Sequence, residues 1–308
     1  MIRLLRLSLF CTTIFIFQNC GLTGEKPATT ALSVATPMTV PALIGPVGFD
    51  DYWYQGKAEL STYAVTQERY GEERPAEQVN IFVTEDFSRQ RQVKLDDPAQ
   101  AGADRVPVLK LNSVRRFHTG IYDYSVLQSV FTPVDGTPAL KVTSTVQDWC
   151  GHVFTQFNLN QQEYHIRQFS YFEGEGDSDL RLPLILLEDD LWMQLRIHPE
   201  QIRLGKVQIL PATLYLRFRH QPFMAHTATL TMEKGERENT LHVVYEDIPR
   251  SLAVRFEPIS PYRILGWEEI DKGQLMSKGT LKTVRLEPYW MQHDNKFNGM
   301  RDSLQVHF

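Results

Sequence analysis

From Tyr52 to Phe308 the apolar positions recur mostly every second residue. Leu140, Val142 and Val146 alternate with Lys141, Thr143, Thr145 and Gln147. Leu252, Val254 and Phe256 alternate with Ala253, Arg255 and Glu257. Leu241, Val243 and Tyr245 oppose Thr240, His242 and Glu246, with Val244 as an exception. Met224, Ala228, Leu230 and Met232 are interleaved with Thr227, Thr229 and Thr231. A period of two marks antiparallel strands with one packed face and one wet face. Further strands are predicted within 57–69, 79–84, 107–112, 124–134, 152–158, 164–173, 207–210, 262–267 and 281–287. Val134-Asp135-Gly136-Thr137-Pro138 and Glu233-Lys234-Gly235-Glu236 carry hairpin chemistry.

One segment breaks the period. Leu184, Leu187, Leu191 and Leu195 recur at three- and four-residue spacing, with Glu188, Asp189 and Asp190 among them. This predicts one short amphipathic helix near 184–196, with Trp192 at its buried edge. A strand of irregular apolar content is the alternative. Many strands and one helix give an all-β fold, either a large antiparallel sandwich or a curved sheet.

The N-terminus is a different kind of sequence. Arg3 and Arg6 precede an apolar stretch from Leu7 to Phe17, which ends at Gln18-Asn19-Cys20-Gly21. A basic start, about ten apolar residues and a boundary form a secretory signal. Ordinary cleavage wants small residues, and Phe17-Gln18-Asn19 does not supply them. A Cys just after the apolar core fits a bacterial lipoprotein signal, with residues 1–19 removed and Cys20 acylated. Residues 20–49 hold Pro27, Pro37, Pro41 and Pro46 and almost no charge, so they read as a flexible tether. Such a coil reaches roughly 30 Å root-mean-square. Residues 50–308 then form a single β-rich domain. The expected setting is an outer-membrane lipoprotein, periplasmic or surface-facing, held to the membrane through its N-terminal lipid.

Composition narrows the function classes. With 32 Lys+Arg against 37 Asp+Glu, the formal charge is −5. Loss of Arg3 and Arg6 would take it to about −7. A general nucleic-acid binder needs a basic face, so no nucleic-acid partner is expected. With Cys11 in the signal and Cys20 lipidated, Cys150 is the one remaining thiol and no internal disulfide can form.

No phosphate loop, dinucleotide-binding glycine motif, nucleophile elbow or zinc motif is present, and no cofactor is implied. Cys150 and His152, two residues apart, could form a thiol–imidazole pair on one strand face. Beside Trp149, Cys150 could equally be a small core residue. Glu173, Glu175 and Asp177 are spaced by glycines and could converge on Ca²⁺, or could simply end a hairpin. Tyr262, Arg263, Trp267 and Glu268 combine residue types of binding hot spots, which also line β cores. Arg115-Arg116 and Arg217-x-Arg219-His220 read as solvated strand faces. The histidines show no metal-type spacing.

Several words resemble one family. They are Tyr52-Trp53-Tyr54-Gln55-Gly56-Lys57-Ala58-Glu59, Ile81-Phe82-Val83-Thr84-Glu85-Asp86-Phe87, Val108-Leu109-Lys110-Leu111-Asn112, Thr119-Gly120-Ile121-Tyr122, Gln147-Asp148-Trp149-Cys150-Gly151-His152 and Ser170-Tyr171-Phe172-Glu173-Gly174-Glu175. They are similar to uncharacterised Bacteroidota lipoproteins often named "septum formation inhibitor Maf". The resemblance spans Tyr52 to Glu269 and implies an envelope setting without an established activity. The Ser- and Arg-rich phosphate motif of Maf nucleotide pyrophosphatases is absent, so no catalytic residue carries over. The reading is therefore a non-enzymatic binding or scaffold domain with an envelope protein as partner. The alternatives are a carrier of a lipid or other apolar ligand, and a hydrolase or transferase using Cys150 and His152.

Overall fold

A computed structural model describes residues 49–308. These residues lie within one compact unit. The signal, Cys20 and the tether up to residue 48 fall outside the described residues.

Strands β1 (Ala58–Arg69), β2 (Glu72–Ser88), β3 (Arg105–Thr119), β4 (Tyr122–Pro133), β5 (Lys141–Asp148), β6 (Gly151–Asn160), β7 (Glu163–Ser170) and β8 (Ser178–Pro183) form one antiparallel meander. The two-residue strand β9 (Leu186–Leu187) leads into helix α1 (Glu188–Ile197). Strand β10 (Gly205–Leu210), helix α2 (Thr213–Arg219) and strands β11 (His226–Lys234), β12 (Asn239–Tyr245), β13 (Arg250–Phe256), β14 (Ile264–Asp271) and β15 (Gln274–Glu287) follow, with a last short helix α3 (Met300–Ser303). Predicted strands and hairpins fall on observed ones.

All fifteen strands belong to one sheet, in the order β8-β7-β6-β5-β4-β3-β2-β1-β15-β14-β13-β12-β11-β10-β9. The first strand pairs with the last, and only β9–β10 is parallel. The fold is thus all-β and a curved sheet rather than a sandwich. The curvature follows from connectivity. Laid flat, fifteen strands would be roughly 67 Å wide. Yet β8 and β9 occupy opposite edges with only Leu184 and Ile185 between them. That linker spans at most about 10 Å. The sheet must curl until the end of β8 comes close to the start of β9, giving a strongly curved wall whose two edges are joined by the chain itself.

Helices α1 and α2 fill the hollow. The predicted helix is present, but it begins after β9 and is not amphipathic in the ordinary sense. Glu188, Asp189, Asp190 and Arg196 are buried together with Leu191, Met193, Leu195 and Ile197. Its charged face meets the inside of the sheet, not water. Helix α2 is a correction to the sequence reading, which expects a solvated strand face around Arg217 and Arg219. Leu214, Leu216 and Phe218 alternate as in a strand, but Tyr215, Leu216, Arg217 and Phe218 are all buried. Asp189 receives the Thr213 N–H at 3.1 Å and so caps the start of α2. Arg69 donates to the Phe218 carbonyl at 3.0 Å near its end.

Candidate functional site

Consecutive antiparallel hairpins place every second connection at one end of the wall. The β1–β2, β3–β4, β5–β6 and β7–β8 connections therefore lie side by side. Each presents a large apolar residue to solvent. Ile121 is 85% exposed, Trp149 69%, Tyr171 65% and Tyr70 58%. The connections touch one another. The Tyr70 and Tyr124 hydroxyls are 2.7 Å apart, and the Tyr122 and Trp149 ring centroids 6.5 Å apart. Tyr171 packs on Gly151, where a Cβ would stand 2.5 Å from its ring. Asp123, Asp148, Glu173 and Asp177 stand among these tips. The result is an aromatic rim with acidic flanks.

Cys150 and His152 belong to the β5–β6 tip. Trp149, Cys150 and His152 are all exposed, so the alternative of a buried Cys150 beside a core Trp is corrected. Asp148 lies beside the thiol and pushes its pKa up. A nucleophilic thiol needs the opposite shift. Asp148 Oδ1 accepts the Cys150 N–H at 2.7 Å, which fixes the turn.

Glu173, Glu175 and Asp177 do not converge. Glu175 is taken by Arg217 at 2.9 Å and His220 at 2.6 Å, which ties the β7–β8 connection to α2. Asp177 accepts the Ser170 N–H at 3.1 Å, and Glu173 is exposed. Among the described residues no group of His, Cys, Asp and Glu has the arrangement of a metal site.

Tyr262, Arg263, Trp267 and Glu268 separate as well. Trp267 is a core residue, stacked edge-on against Tyr63 and Trp192, with its indole N–H on Ser277 at 2.7 Å. Glu268 points outward and pairs with Lys278 at 3.1 Å. Arg263 is half-buried near Glu257 and Glu59, while Tyr262 is a half-buried turn residue. The solvated reading of Arg115 and Arg217 is also overturned, since both are buried.

What the sequence reading misses is the set of charges that fasten α1. Arg196 meets Glu59 of β1 through two bonds of 2.8 and 2.7 Å, and its Nε donates to the Pro261 carbonyl at 2.9 Å. Its guanidinium lies over Trp53 and Phe82, at 4.8 and 4.4 Å from the ring centroids. Glu59 also accepts from Tyr52 and Ser61. These bonds hold its pKa low although burial opposes them. At the other end of α1, Glu188 is clamped by Arg250 and Tyr245, and Arg250 reaches on to Glu269 at 2.6 Å. Asp190 accepts from Thr132, the Ala139 N–H and Gln194. One helix is thus bolted to both halves of the wall.

No helix of the described residues is long and apolar enough to cross a membrane. No family model matches the chain, and no curated protein matches it in sequence. Among solved structures, it is similar to a β-barrel-like protein of domain of unknown function DUF1849 from Brucella abortus. That match has 9% identity and a TM-score of 0.49, covering 75% of this chain and 98% of that chain.

Proposed function

We propose that the chain is a lipid-anchored protein of the outer membrane, periplasmic or surface-facing, whose folded part is a non-enzymatic binding domain. The observation that carries the binding role is the rim of Tyr70, Ile121, Trp149 and Tyr171. Large exposed apolar side chains on four adjacent tips carry a desolvation cost that a partner relieves. Trp and Tyr are the residues that dominate such contacts. The acidic flanks fit a protein partner with apolar pockets and basic surroundings. Phe49, the first described residue, packs on Trp53 ahead of β1, whereas Tyr70 follows its far end. β1 is roughly 40 Å long.

The apolar-carrier reading finds less support in the interior of the wall. The void between α1, α2 and the sheet is about 60 Å³ and lined by polar and apolar groups alike. Drug-sized ligands occupy cavities of roughly 300 Å³ or more. The raised Cys150 thiol gives the hydrolase or transferase reading no activated nucleophile.

Two experiments test the proposal. Palmitate labelling of the native chain and of Cys20→Ala should differ; equal label overturns the anchor. Native mass spectrometry of the chain isolated from its host should show a stoichiometric protein that Trp149→Ala with Tyr171→Ala loses. A bound lipid retained by that variant would favour the carrier instead.

A further inference from the structure

Two ionisable groups that line the void behind α1 have hydrogen bonds but, among the described residues, no ion-pair partner. Arg115, on β3, is buried and lines it. Its Nε donates to Gln78 Oε1 at 2.7 Å and its NH1 to Gln67 Oε1, both neutral acceptors. Among the described residues no carboxylate stands within ion-pair distance of it, whereas Arg196 and Arg217 each hold one and Arg250 holds two. Burial brings the Arg115 pKa down to about 10. Glu269, the acid acting on it, is already engaged by Arg250.

Asp189 lines the same void from α1. It accepts from Gln128 and from the Thr213 N–H, but among the described residues no cation lies within ion-pair distance. Burial raises its pKa to about 7. Gln128 sits opposite Ser113 in the β3–β4 register, and Ser113 precedes Arg115 by two residues on one strand face. The cation and the acid thus line the same void, one from β3 and the other from α1. The rings of Trp192, Trp267 and Tyr215 wall the space between elements. A void of about 60 Å³ holds roughly four or five water-sized groups.

We infer that this void is a binding site for a small zwitterion of α-amino-acid size, with its carboxylate on Arg115, which lies over the Trp267 ring at 5.6 Å from its centroid, and its ammonium between Asp189 and the indole of Trp192. A guanidinium and a carboxylate match in geometry and charge. Aromatic faces and an acid together select an ammonium. One such molecule neutralises both buried charges at once. The site is separate from the rim and stands or falls independently of it.

Calorimetric titration of the full chain in detergent with glycine tests this, with acetate as the comparison probe. Glycine should bind saturably and raise the unfolding temperature. Acetate should bind at least about tenfold more weakly, since it lacks the charged contact to Asp189. Arg115→Met should lose about 100-fold in glycine affinity. Ser113→Leu fills the void while leaving the bonds of Arg115 in place; it should abolish binding and unfold near the wild-type temperature. It decides the matter if Arg115→Met fails to fold. The inference is overturned if glycine shows no saturable binding at tens of millimolar, if acetate binds as well as glycine, or if Ser113→Leu binds glycine like the native chain.

Discussion

Arg196 and Glu59 form a two-bond ion pair with both side chains wholly excluded from solvent, across 137 residues of sequence. It joins α1, the longest helix among the described residues, to β1. Buried pairs are not strong because they are charged; they are costly to break because the survivor is stranded. Glu59→Leu or Arg196→Met should each cost about 3–5 kcal/mol in urea unfolding. Glu59→Leu combined with Arg196→Met should cost clearly less than the sum of the single changes. Additive losses would show that the pair does not act as a unit.

Asp189 makes stability depend on pH in a defined direction. Burial raises its pKa from 3.8 to about 7. Between about pH 4 and 7 the folded chain keeps a proton that the unfolded chain has released. The stability this group contributes is present below about pH 4 and lost as pH rises through 7. Asp190 shifts in the same direction. Glu59 is lowered and acts oppositely, its contribution being lost as pH falls. Asp189→Asn should therefore gain stability over the native chain at pH 8 and show no gain at pH 4. Urea midpoints at the two pH values check this.

Gly279 is fixed by Trp267. A Cβ at Gly279 would stand 2.2 Å from the indole ring, which also touches Tyr63 and Trp192. Gly279→Ala should cost about 1–3 kcal/mol by forcing the ring aside. A shift in near-ultraviolet circular dichroism should accompany the loss. An unchanged spectrum and stability would mean that the ring relocates freely.

Trp149 is exposed at a tip, so Trp149→Ala should change stability by no more than about 0.5 kcal/mol. The same variant should weaken partner binding by more than tenfold, as loss of a hot-spot residue does. Thermal unfolding and quantitative pull-down with the native partner separate the two effects.

Cys150 is exposed but held back by Asp148. Its alkylation by iodoacetamide should be slow at pH 7 and accelerate steeply with pH. Asp148→Asn should speed the reaction at pH 8, because the repelling carboxylate is gone. Equal rates in the two chains would remove Asp148 as the cause.

Much of the wall was legible because its strands pack one face only. Leu252, Val254 and Phe256 are buried and Ala253 and Arg255 are half-buried, as their alternation predicts. Helix α2 was illegible for the opposite reason. Surrounded by the sheet, it has no wet side, so its apolar residues need not follow a helical period. The fasteners of α1 were hidden by distance: nothing in the neighbourhood of Glu59 announces Arg196. The rim escaped notice because exposure on four separate turns becomes one surface only when the strands are counted in sheet order. Trp267, by contrast, was readable either as a binding residue or as core beside Arg263 and Glu268, and its strand turns it inward.

The pairing of β1 with β15 also sets a timetable for folding. Residues near 60 and 285 must meet before the wall is complete. A chain delivered N-terminus first exposes the inner face of the β1–β8 meander while α1 and the later strands are still to come. Such distant pairing makes for slow folding and a vulnerable interval. Truncation within β15 would leave β1 and β14 as two raw edges, so the last strand determines whether the rest stays soluble.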